Sequence, residues 1–543
     1  MRALGGALLV LAALAAWAAP ASAERPLPAL APAENDALTR ALADGSLTEA
    51  EYALERARSL FRLGSVRREF GEVARPRGRD ATLVLRDLAL RARELSGEER
   101  AQAERLLARP TDGDGPRGDP QGFGYRFPDE ATSVCGADMC FHWVERTSDK
   151  PPGSDNNPAT VPAQVTLTKS VFEHVWAAEI GLGYREPLSD ANEPENGGNG
   201  KLDVYLVDVG AQRIFGYCAT DDFGTVEFAL PVYCVVDNDF VELAAGTGKD
   251  PDDLLRVTAA HEFFHAVQAA YDFFEDPWLL EGTATNMEET VYPRVDDNVT
   301  FLSYSPLTKP ASPLDRGGFG NSEYGSWIFW RYLEEKVYNG NPAVIRRVWE
   351  RAAAASPTDP DDYSLHALSR VLRAGGRDLA EEFSRFGVAN RRRAYADGSL
   401  YPRTPTHGIF RIGSQRRSTG WISRRLDHLT ARYFSFRPGR SVPGSAKLKV
   451  KVDVHPRGGR ARLIVRYKNG SVRVRGYEHT ASVLGSRQVD FGRGVVRRVD
   501  LVLTNGSSRT RCWRDLGSPP FYSCFGVPKD DRRSYSFRAK LRR

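Results

Sequence analysis

Apolar and polar positions follow three different patterns along the chain. Residues 31–108 contain almost no β-branched runs and repeat apolar residues at helical spacing, most clearly over 47–63 and 81–107. The second of these stretches is interrupted at Ser96-Gly97. The pattern predicts a helical segment in this part of the chain.

Residues 123–410 mix short apolar runs with longer stretches of helical period. The runs at 201–209 and 231–237 are typical of buried strands. Helices are predicted at about 252–272, 278–290, 323–337 and 342–355, with more near 362–396. This mixture predicts a domain built from a mixed sheet and several helices.

From about residue 425 onward, apolar and polar residues alternate as they do in half-buried strands. The stretch A-K-L-K-V-K-V-D-V-H-P (446–456) places four aliphatic side chains on one face, and Asn469-Gly470 separates two alternating runs like a hairpin turn. A further strand is predicted at R-R-V-D-L-V-L-T-N-G-S. Residues 425–543 are therefore predicted to form a β-sandwich, and the fold class of the chain is α+β.

Residues 1–23 have the pattern of a secretory signal peptide, with Arg2, an apolar stretch from Leu4 to Trp17, and small residues at Ala21-Ser22-Ala23. No later stretch approaches about 20 uncharged apolar residues, so we expect no transmembrane anchor. The predicted location is secreted, either extracellular or periplasmic.

The stretch 109–122, R-P-T-D-G-D-G-P-R-G-D-P-Q-G, is rich in Pro, Gly and Asp and predicts a linker. The helical segment in front of it, residues 24–108, is either a propeptide or an ordinary N-terminal helical domain. Because exposed, irregular chain is readily cleaved, we expect the segment to be removable by a cut between Arg109 and Gly122.

The six cysteines fall into three local pairs, which are Cys135 with Cys140, Cys218 with Cys234, and Cys512 with Cys524. In an exported protein, an even number of locally clustered cysteines favours disulfide bonds. Zinc binding by these thiols is not expected, because the sequence contains no C-x-x-C motif.

Candidate chemistry is concentrated in T-A-A-H-E-F-F-H-A-V-Q-A-A-Y-D (258–272). On a helix, positions i and i+4 share a face, so His261 and His265 can aim ring nitrogens at one ion. Glu262 then projects to the side of that ion, where a water molecule would bind. The H-E-x-x-H spacing is typical of zinc hydrolases.

A catalytic zinc site needs three protein ligands and a water. The extended motif H-E-x-x-H-x-x-G-x-x-H is excluded as their source, because Gln268 and Tyr271 occupy its glycine and third-histidine positions. The remaining solution is a glutamate on the following helix.

The next stretch, D-P-W-L-L-E-G-T-A-T (276–285), supplies such a glutamate. Asp276 and Pro277 suit the start of a helix, and Glu281 lies in its first turns, after 15 residues that separate it from His265. Glu288 and Glu289 remain alternatives to Glu281.

These motifs resemble a known group of enzymes. H-E-F-F-H followed by W-L-L-E-G-T-A is similar to the paired motifs of the gluzincin zinc peptidases. The chain as a whole is similar to a family of secreted bacterial metalloproteases. The stretches that carry this similarity are H-E-F-F-H, W-L-L-E-G-T-A-T-N-M-E-E, Y-G-S-W-I-F-W-R-Y-L and V-D-L-V-L-T-N-G-S. The resemblance covers most of residues 123–530. The spacer before Glu281 is shorter than is usual in gluzincins, and no G-x-M-E-N-like stretch precedes His261, which argues against an exopeptidase.

The resemblance implies a zincin-like peptidase domain over 123–410, with His261, His265 and Glu281 as ligands of one Zn²⁺. It also implies Glu262 as the general base that takes a proton from the attacking water and delivers it to the leaving amine. The implied substrate is a protein or peptide.

Two further assignments concern other parts of this domain. The oxyanion that develops during hydrolysis needs a second stabiliser, and Tyr324 is the candidate because it begins a later helix, with helix packing as its alternative role. The loop D-A-N-E-P-E-N-G-G-N-G-K-L-D (190–203) is rich in oxygen ligands suited to Ca²⁺. Its spacing does not match an EF-hand, which favours a solvated loop.

Charge is distributed unevenly along the chain. Residues 411–543 hold 32 Lys+Arg and 8 Asp+Glu, a balance of +24, while the rest of the chain carries −19. Lys447, Lys449 and Lys451 share one strand face, and Arg473 and Arg475 share another. These residues predict a surface patch through which residues 425–543 alone bind an anionic envelope polymer. Solvated arginines without a ligand are the alternative, and no feature predicts specific nucleic-acid recognition.

The leading functional prediction is a secreted zinc-dependent endopeptidase. The alternative is a secreted binding or adhesion protein whose peptidase-like domain is only a scaffold.

Overall fold

A computed structural model describes residues 37–61, 66, 70, 81–112, 125, 131–147, 149–221, 227–317, 320–356, 359, 362–477, 484–513 and 522–542. The predicted signal peptide and residues 113–122 of the predicted linker lie outside these ranges. Helices and several sheets are mixed, as the α+β class predicts. Within the described ranges, no helix is long and apolar enough to cross a membrane.

The N-terminal segment is helical, as its apolar spacing predicts. Its helices are α1 (Ala37–Ala43), α2 (Glu49–Phe61), α3 (Ala81–Arg91) and α4 (Gly97–Leu107). A 3₁₀ turn at Ala92–Glu94 and the extended backbone of Ser96 separate α3 from α4, so the predicted break at Ser96-Gly97 is confirmed.

A five-stranded mixed sheet forms the centre of the next region. Its strands are β1 (Ala131–Cys135), β2 (Met139–Val144), β3 (Leu202–Val207), β4 (Gly216–Ala219) and β5 (Tyr233–Asp237). The order across the sheet is β1-β2-β3-β5-β4, with β2, β3 and β5 parallel and the two outer strands antiparallel to their neighbours. Of these strands, the sequence patterns predicted only β3 and β5.

Nine helices of the described chain follow or interrupt this sheet. They are α5 (Ala163–Gly181), α6 (Val241–Thr247), α7 (Pro251–Ala269), α8 (Pro277–Val291), α9 (Ser322–Gly325), α10 (Trp327–Tyr332), α11 (Ala343–Ala352), α12 (Leu365–Ala374) and α13 (Leu379–Arg392). The predicted helices near 252–272, 278–290, 323–337, 342–355 and 362–396 are confirmed.

Except at its edge strand β1, the sheet is buried on both faces, because helices cover each of them. Helices α5 and α7 cover one face, α8 packs against both of these helices, and the three form one apolar core with Phe141, Val204 and Val236. Helices α2, α3 and α4 cover the other face and pack on Tyr217 and Val235. Strands buried on both faces carry near-continuous apolar runs rather than alternation, which explains the sequence of β3. The helical segment is therefore one of the two helical layers that enclose this sheet.

The remaining strands form two facing sheets. They are β6 (Ile409–Ile412), β7 (Ile422–Leu426), β8 (Thr430–Pro438), β9 (Lys447–Asp453), β10 (Gly459–Tyr467), β11 (Val472–Gly476), β12 (Leu484–Asp490), β13 (Val496–Asn505) and β16 (Arg533–Arg542). A short pair, β14 (Thr510–Arg511) and β15 (Val527–Pro528), lies outside them. The sheet orders are β11-β10-β13-β8-β6 and β12-β9-β16-β7, and one apolar core fills the space between them. The predicted strand at 446–456 and the predicted hairpin turn at Asn469-Gly470 are both observed.

The sandwich is continuous with the region before it. Strand β6 pairs with β8, although it precedes residue 425, where the sandwich was predicted to begin. Helix α13 packs across the outer face of the first sheet, where Val388 meets Ile464 and Val502. A boundary drawn between 410 and 425 therefore cuts through a packed interface.

All six cysteines form the three predicted disulfide bonds, Cys135–Cys140, Cys218–Cys234 and Cys512–Cys524. The first two join neighbouring strands of the mixed sheet, and the third closes the loop between β14 and β15.

The start of the predicted linker is not exposed. Arg109 is fully buried and forms ion pairs with Asp190, Asp203 and Asp221 at 2.5–2.7 Å. Tyr233 donates hydrogen bonds to the carbonyls of residues 107 and 108. The expectation of an irregular, exposed chain from Arg109 onward is therefore wrong for residues 109–112, because three carboxylates fix the guanidinium in place.

Candidate metal centre

Helix α7 crosses the centre of the molecule and is buried on all sides from Val257 to Ala269. Its start is well defined, since Asp250 accepts a hydrogen bond from the backbone amide of Asp252 and Pro251 occupies the first helical position. His261, Glu262 and His265 lie in the buried part, where polar groups are costly without partners. What this part of the helix can bind therefore depends on the partners of these three side chains.

Helix α8 packs against α7 and begins at Pro277, as predicted. The Asp276 carboxylate does not cap its own helix but accepts a hydrogen bond from the backbone amide of Cys524 (2.9 Å). At Gly282 a Cβ atom would overlap Ser326, so only glycine allows the next helices to approach α8 this closely. Glu281 is thereby held at the face of α8 that meets α7.

The three predicted ligands converge. Nε2 of His261 lies 3.1 Å from Oε2 of Glu281, and Nε2 of His265 lies 3.6 Å from the same oxygen. One ligand atom from each of the three residues lies within 4.8 Å of the other two. This is the cluster that the motif spacing predicts.

Gln268 fixes the proton on His265. Its amide faces the carbonyl oxygen of Leu280 at 2.9 Å, and a carbonyl can only accept, so the group facing it is the amide nitrogen. The amide oxygen therefore faces Nδ1 of His265 at 2.7 Å and accepts a hydrogen bond from it. In the neutral ring, Nε2 then carries the lone pair, and it faces Glu281.

His261 is held by a carboxylate in the same way. Its Nδ1 donates to Oε1 of Glu288 at 2.8 Å. Burial alone would lower the pKa of His261, but the hydrogen bonds to Glu281 and Glu288 raise it to about 10. Burial would raise the pKa of Glu281, whereas His265 and His261 lower it to about 2. A His261 ring with a proton on each nitrogen could thus donate one hydrogen bond to Glu281 and one to Glu288.

The second ring nitrogen of His265 has no hydrogen-bond partner. Its Nε2 and Oε1 of Glu281 are both buried without one in the described chain. A neutral His265 would turn a nitrogen lone pair toward a carboxylate oxygen, which is unfavourable because both groups are acceptors. Either a proton on Nε2 or a metal cation relieves this contact, and two imidazoles with one carboxylate are a donor set suited to Zn²⁺. The residues therefore fit the metal that the resemblance implies.

Glu262 lies beside these ligands, against the edge strand β4. A Cβ atom at Gly216 would approach Cγ of Glu262 to 3.0 Å, so the glycine leaves room for the carboxylate. Burial raises the pKa of Glu262, while His261 and His265 act in the opposite direction. A carboxylate with a raised pKa is suited to accept a proton near neutral pH.

The N-terminal segment reaches this carboxylate. Oγ1 of Thr82, on α3, donates a hydrogen bond of 3.2 Å to Oε2 of Glu262 and accepts one of 3.1 Å from the amide of Cys218. His261 and Glu262 are each 4% exposed. Helix α3 therefore covers the general-base position, a contact that no local sequence signal announced.

Tyr324 lies next to the ligands. Its ring is buried and stacks on His261 at 6.0 Å between centroids and on Phe301 at 5.0 Å. Tyr324 lies in the short helix α9, where the sequence predicted a helix to begin. Its role in stabilising an oxyanion stays a prediction.

The alternative ligands take other positions. Glu288 contacts the far nitrogen of His261 instead of joining Glu281, and Glu289 accepts a hydrogen bond from Asn298 and faces Arg331. No local sequence pattern indicated the supporting roles of Glu288 and Gln268. Both come from helical positions whose side-chain direction depends on how α7 and α8 pack.

Two carboxylates of the loop at 190–203 already have a cationic partner. Asp190 and Asp203 are the residues that pair with Arg109, and Asp203 also contacts Nε2 of His142 at 2.7 Å. Burial raises the pKa of Asp190 to about 6, and Arg109 lowers it. These contacts favour a structural role for both aspartates over the Ca²⁺ site considered for this loop.

No family model and no curated protein matches the chain. Among solved structures, the pre-peptidase C-terminal domain of collagenase from Bacillus anthracis aligns with 26% of this chain and 100% of its own length, at 10% identity and a TM-score of 0.15. A family GH115 4-O-methyl-α-glucuronidase, specific for decorated arabinogalactans, aligns with 66% of this chain and 53% of its own, at 10% identity and a TM-score of 0.14. TM-scores this low carry no conclusion, so the gluzincin resemblance stays a prediction from the motifs.

Proposed function

We propose that the protein is a secreted zinc-dependent endopeptidase whose region 123–410 is a zincin-like peptidase domain. The observation that carries this proposal is the convergence of His261, His265 and Glu281, with one ligand atom from each within 4.8 Å of the other two. Nε2 of His265 and Oε1 of Glu281 are buried and have no hydrogen-bond partner within the described chain. Two imidazoles and one carboxylate gathered in this way are a donor set suited to Zn²⁺.

Each residue has a stated role in this proposal. His261, His265 and Glu281 hold the ion, while Glu288 and Gln268 orient the two imidazoles from behind. A bound Zn²⁺ would supply Lewis-acid polarisation of the scissile carbonyl and a water of lowered pKa. Glu262 accepts the proton of the attacking water and returns it to the leaving amine. Tyr324 is the proposed donor to the developing oxyanion.

The competing proposal is a binding protein with a scaffold that does not catalyse. Burial of Glu262 beneath Thr82 is the observation that favours it, because a substrate cannot reach a covered carboxylate. The same observation agrees with an enzyme that is latent until α3 is displaced. The two proposals differ in whether the metal and Glu262 matter for hydrolysis.

The test compares three purified proteins, which are the wild type, Glu262→Gln and Glu186→Gln. Glu186 is an exposed carboxylate in the loop after α5 and serves as the control. Zinc content is measured by atomic absorption, and casein hydrolysis is measured before and after limited proteolysis of the N-terminal segment. We expect all three proteins to hold about one zinc. Glu262→Gln should lose about 10²–10⁴-fold of the activity, and Glu186→Gln should lose none.

A wild-type protein without zinc, or equal digestion by Glu262→Gln and wild type, would contradict the enzyme. Zinc bound with no hydrolysis by the wild type, after the segment is removed, would favour the scaffold.

A further inference from the structure

A basic cavity lies where the end of α13 meets the outer face of the first sandwich sheet. Its volume is about 440 Å³, which is within the usual range for ligand sites. Seven arginines line it, residues 391–393 and 403 from the region before the sandwich and residues 466, 497 and 498 from β10 and β13. We call this the arginine pocket. Among its described lining residues, none is acidic.

One buried carboxylate beneath the pocket organises three of these arginines. Asp500 is fully buried, and its oxygens accept from Arg391 at 3.1 Å, Arg466 at 3.1 Å and Arg498 at 3.0 Å. Burial lowers the pKa of Arg466, and the neighbouring guanidinium groups add to that effect, whereas Asp500 opposes it. Positive charge is therefore concentrated here beyond what Asp500 neutralises.

Further donors in the pocket are not used by the protein. The Arg391 side chain is 6% exposed, and its Nε is buried without a hydrogen-bond partner. Arg392, Arg403 and Arg497 are exposed, and within the described chain no ion pair involves them. Charged donors that converge on one concave space without acceptors form a site for an anionic ligand.

The geometry of the donors selects the kind of anion. A guanidinium group presents two parallel N–H donors, which match the two oxygens of a carboxylate, phosphate or sulfate. Seven such groups in one cavity can contact more than one anionic group at once. Tyr467 is the single aromatic residue among the described lining residues, so the pocket lacks the series of stacking surfaces that single-stranded nucleic acids use.

We propose that the arginine pocket binds an anionic polysaccharide through at least two of its carboxylate, sulfate or phosphate groups. This site is separate from the metal centre and does not rest on the proposed peptidase activity. It holds the protein on a polyanionic matrix while leaving α7 and α8 untouched.

The pocket also changes the expectation for the isolated sandwich. Four of its arginines precede residue 425, so residues 425–543 alone retain only Arg466, Arg497 and Arg498. The lysines on β9 that the sequence singled out lie elsewhere, on the outer face of the second sheet beside Lys540 of β16. These lysines provide a matched control.

The experiment uses the full chain and measures binding at about 50 and 200 mM salt. The probes are polygalacturonate for carboxylates, dextran sulfate for sulfates, polyphosphate for phosphates and oligo-dT for nucleic acid. The pocket variant is Arg403→Gln with Arg497→Gln, both at exposed positions. The control is Lys449→Gln with Lys540→Gln, which removes the same charge. Arg392→Gln is a second pocket variant, and thermal unfolding checks the fold of each protein.

We expect the wild type to bind one of the two polysaccharides and to release it as salt rises. The pocket variant should bind at least about tenfold more weakly, which corresponds to about 1.4 kcal/mol, and Arg392→Gln should weaken binding in the same direction. The control should stay within about twofold. The better polysaccharide identifies the anionic group, and polyphosphate tests whether phosphate is accepted. Equal losses in pocket and control variants, no binding to either polysaccharide, or tighter binding of oligo-dT would overturn the proposal.

Discussion

Gln268 shows how one neutral side chain prepares a metal ligand. Its nitrogen donates to the Leu280 carbonyl and to Oγ1 of Thr283, which leaves its oxygen for His265. The amide therefore selects one tautomer of the imidazole, and the free lone pair follows from that choice. This residue was considered in the sequence only as an obstacle to a longer histidine motif.

We predict that Gln268→Ala weakens zinc binding by about 10–100-fold, because supporting residues of this kind typically contribute that much. Gln268→Glu keeps an acceptor for Nδ1 of His265 but turns a carboxylate oxygen toward the Leu280 carbonyl, so it should recover only part of the affinity. Zinc affinity is measured by competition with a chromogenic chelator. Equal affinity of the alanine variant and the wild type would show that the tautomer is not set by Gln268.

The sequence could predict the cluster of His261, His265 and Glu281 but not the residues that support it. The three are separated by one helical turn and one short loop, so spacing alone brings them together. Gln268 and Glu288 act through side-chain directions that exist only once α7 and α8 are packed. Thr82 lies 180 residues from Glu262, and no local pattern connects two positions so far apart.

At the scale of elements, local patterns likewise predicted some helices and strands, while other elements had no local signal. Helices α7 and α8 and strand β9 were predictable, because their caps or their alternation lie within a few residues. Strands β1, β2 and β4 were missed. β2 and β4 are short and buried on both faces, so they carry no alternation, while β1 is a five-residue edge strand with partly exposed side chains. The arginine pocket was missed because Arg391 and Arg498 meet only through packing of α13 on the sandwich.

The helical segment has a double role in this architecture. Helices α2 to α4 cover one apolar face of the mixed sheet, and α3 also covers Glu262. A segment that buries this much apolar surface does not leave simply because the chain is cut. Removal of residues 24–108, expected from the sequence, therefore needs more than a single cleavage.

We predict that a chain cleaved between Asp112 and Gly122 stays together in solution. Size-exclusion chromatography should show one peak that contains both fragments on a denaturing gel. Peptidase activity should remain low in that peak and rise after the N-terminal fragment is separated from the rest by mild denaturant and refolding. Spontaneous separation of the fragments at neutral pH would contradict the prediction, as would full activity in the cleaved complex.

At the scale of the whole molecule, His428 links the sandwich to the region that precedes it in the chain. Its Nε2 lies 2.9 Å from Asp315, and its Nδ1 lies 2.6 Å from Asp531. Burial would lower its pKa, but the two carboxylates raise it to about 10. The ring is therefore doubly protonated at neutral pH and joins two parts of the chain.

We predict that this link makes stability depend on pH. The folded pKa of His428 is raised above its unfolded value, so its contribution is complete below about pH 6.5 and is lost as pH rises toward about 10. His428→Gln should lower the free energy of unfolding by about 3–5 kcal/mol at pH 6 and by much less at pH 10. Urea unfolding at several pH values measures the difference.

His455→Gln is the control for this experiment, because Nδ1 of that ring faces the carbonyl of Arg457 and, within the described residues, no carboxylate pairs with it. It should change the free energy of unfolding little and equally at each pH. A constant difference between His428→Gln and the wild type from pH 6 to pH 10 would rule out the proposed protonation.

The contact between Thr82 and Glu262 also has a consequence for the order in which the protein is delivered. With the predicted signal peptide, the chain would cross the membrane from its N-terminus, so α3 would emerge before α7. Under the proposed function, Glu262 would be covered as soon as the two helices pack, and the envelope proteins of the exporting cell would be spared during transit.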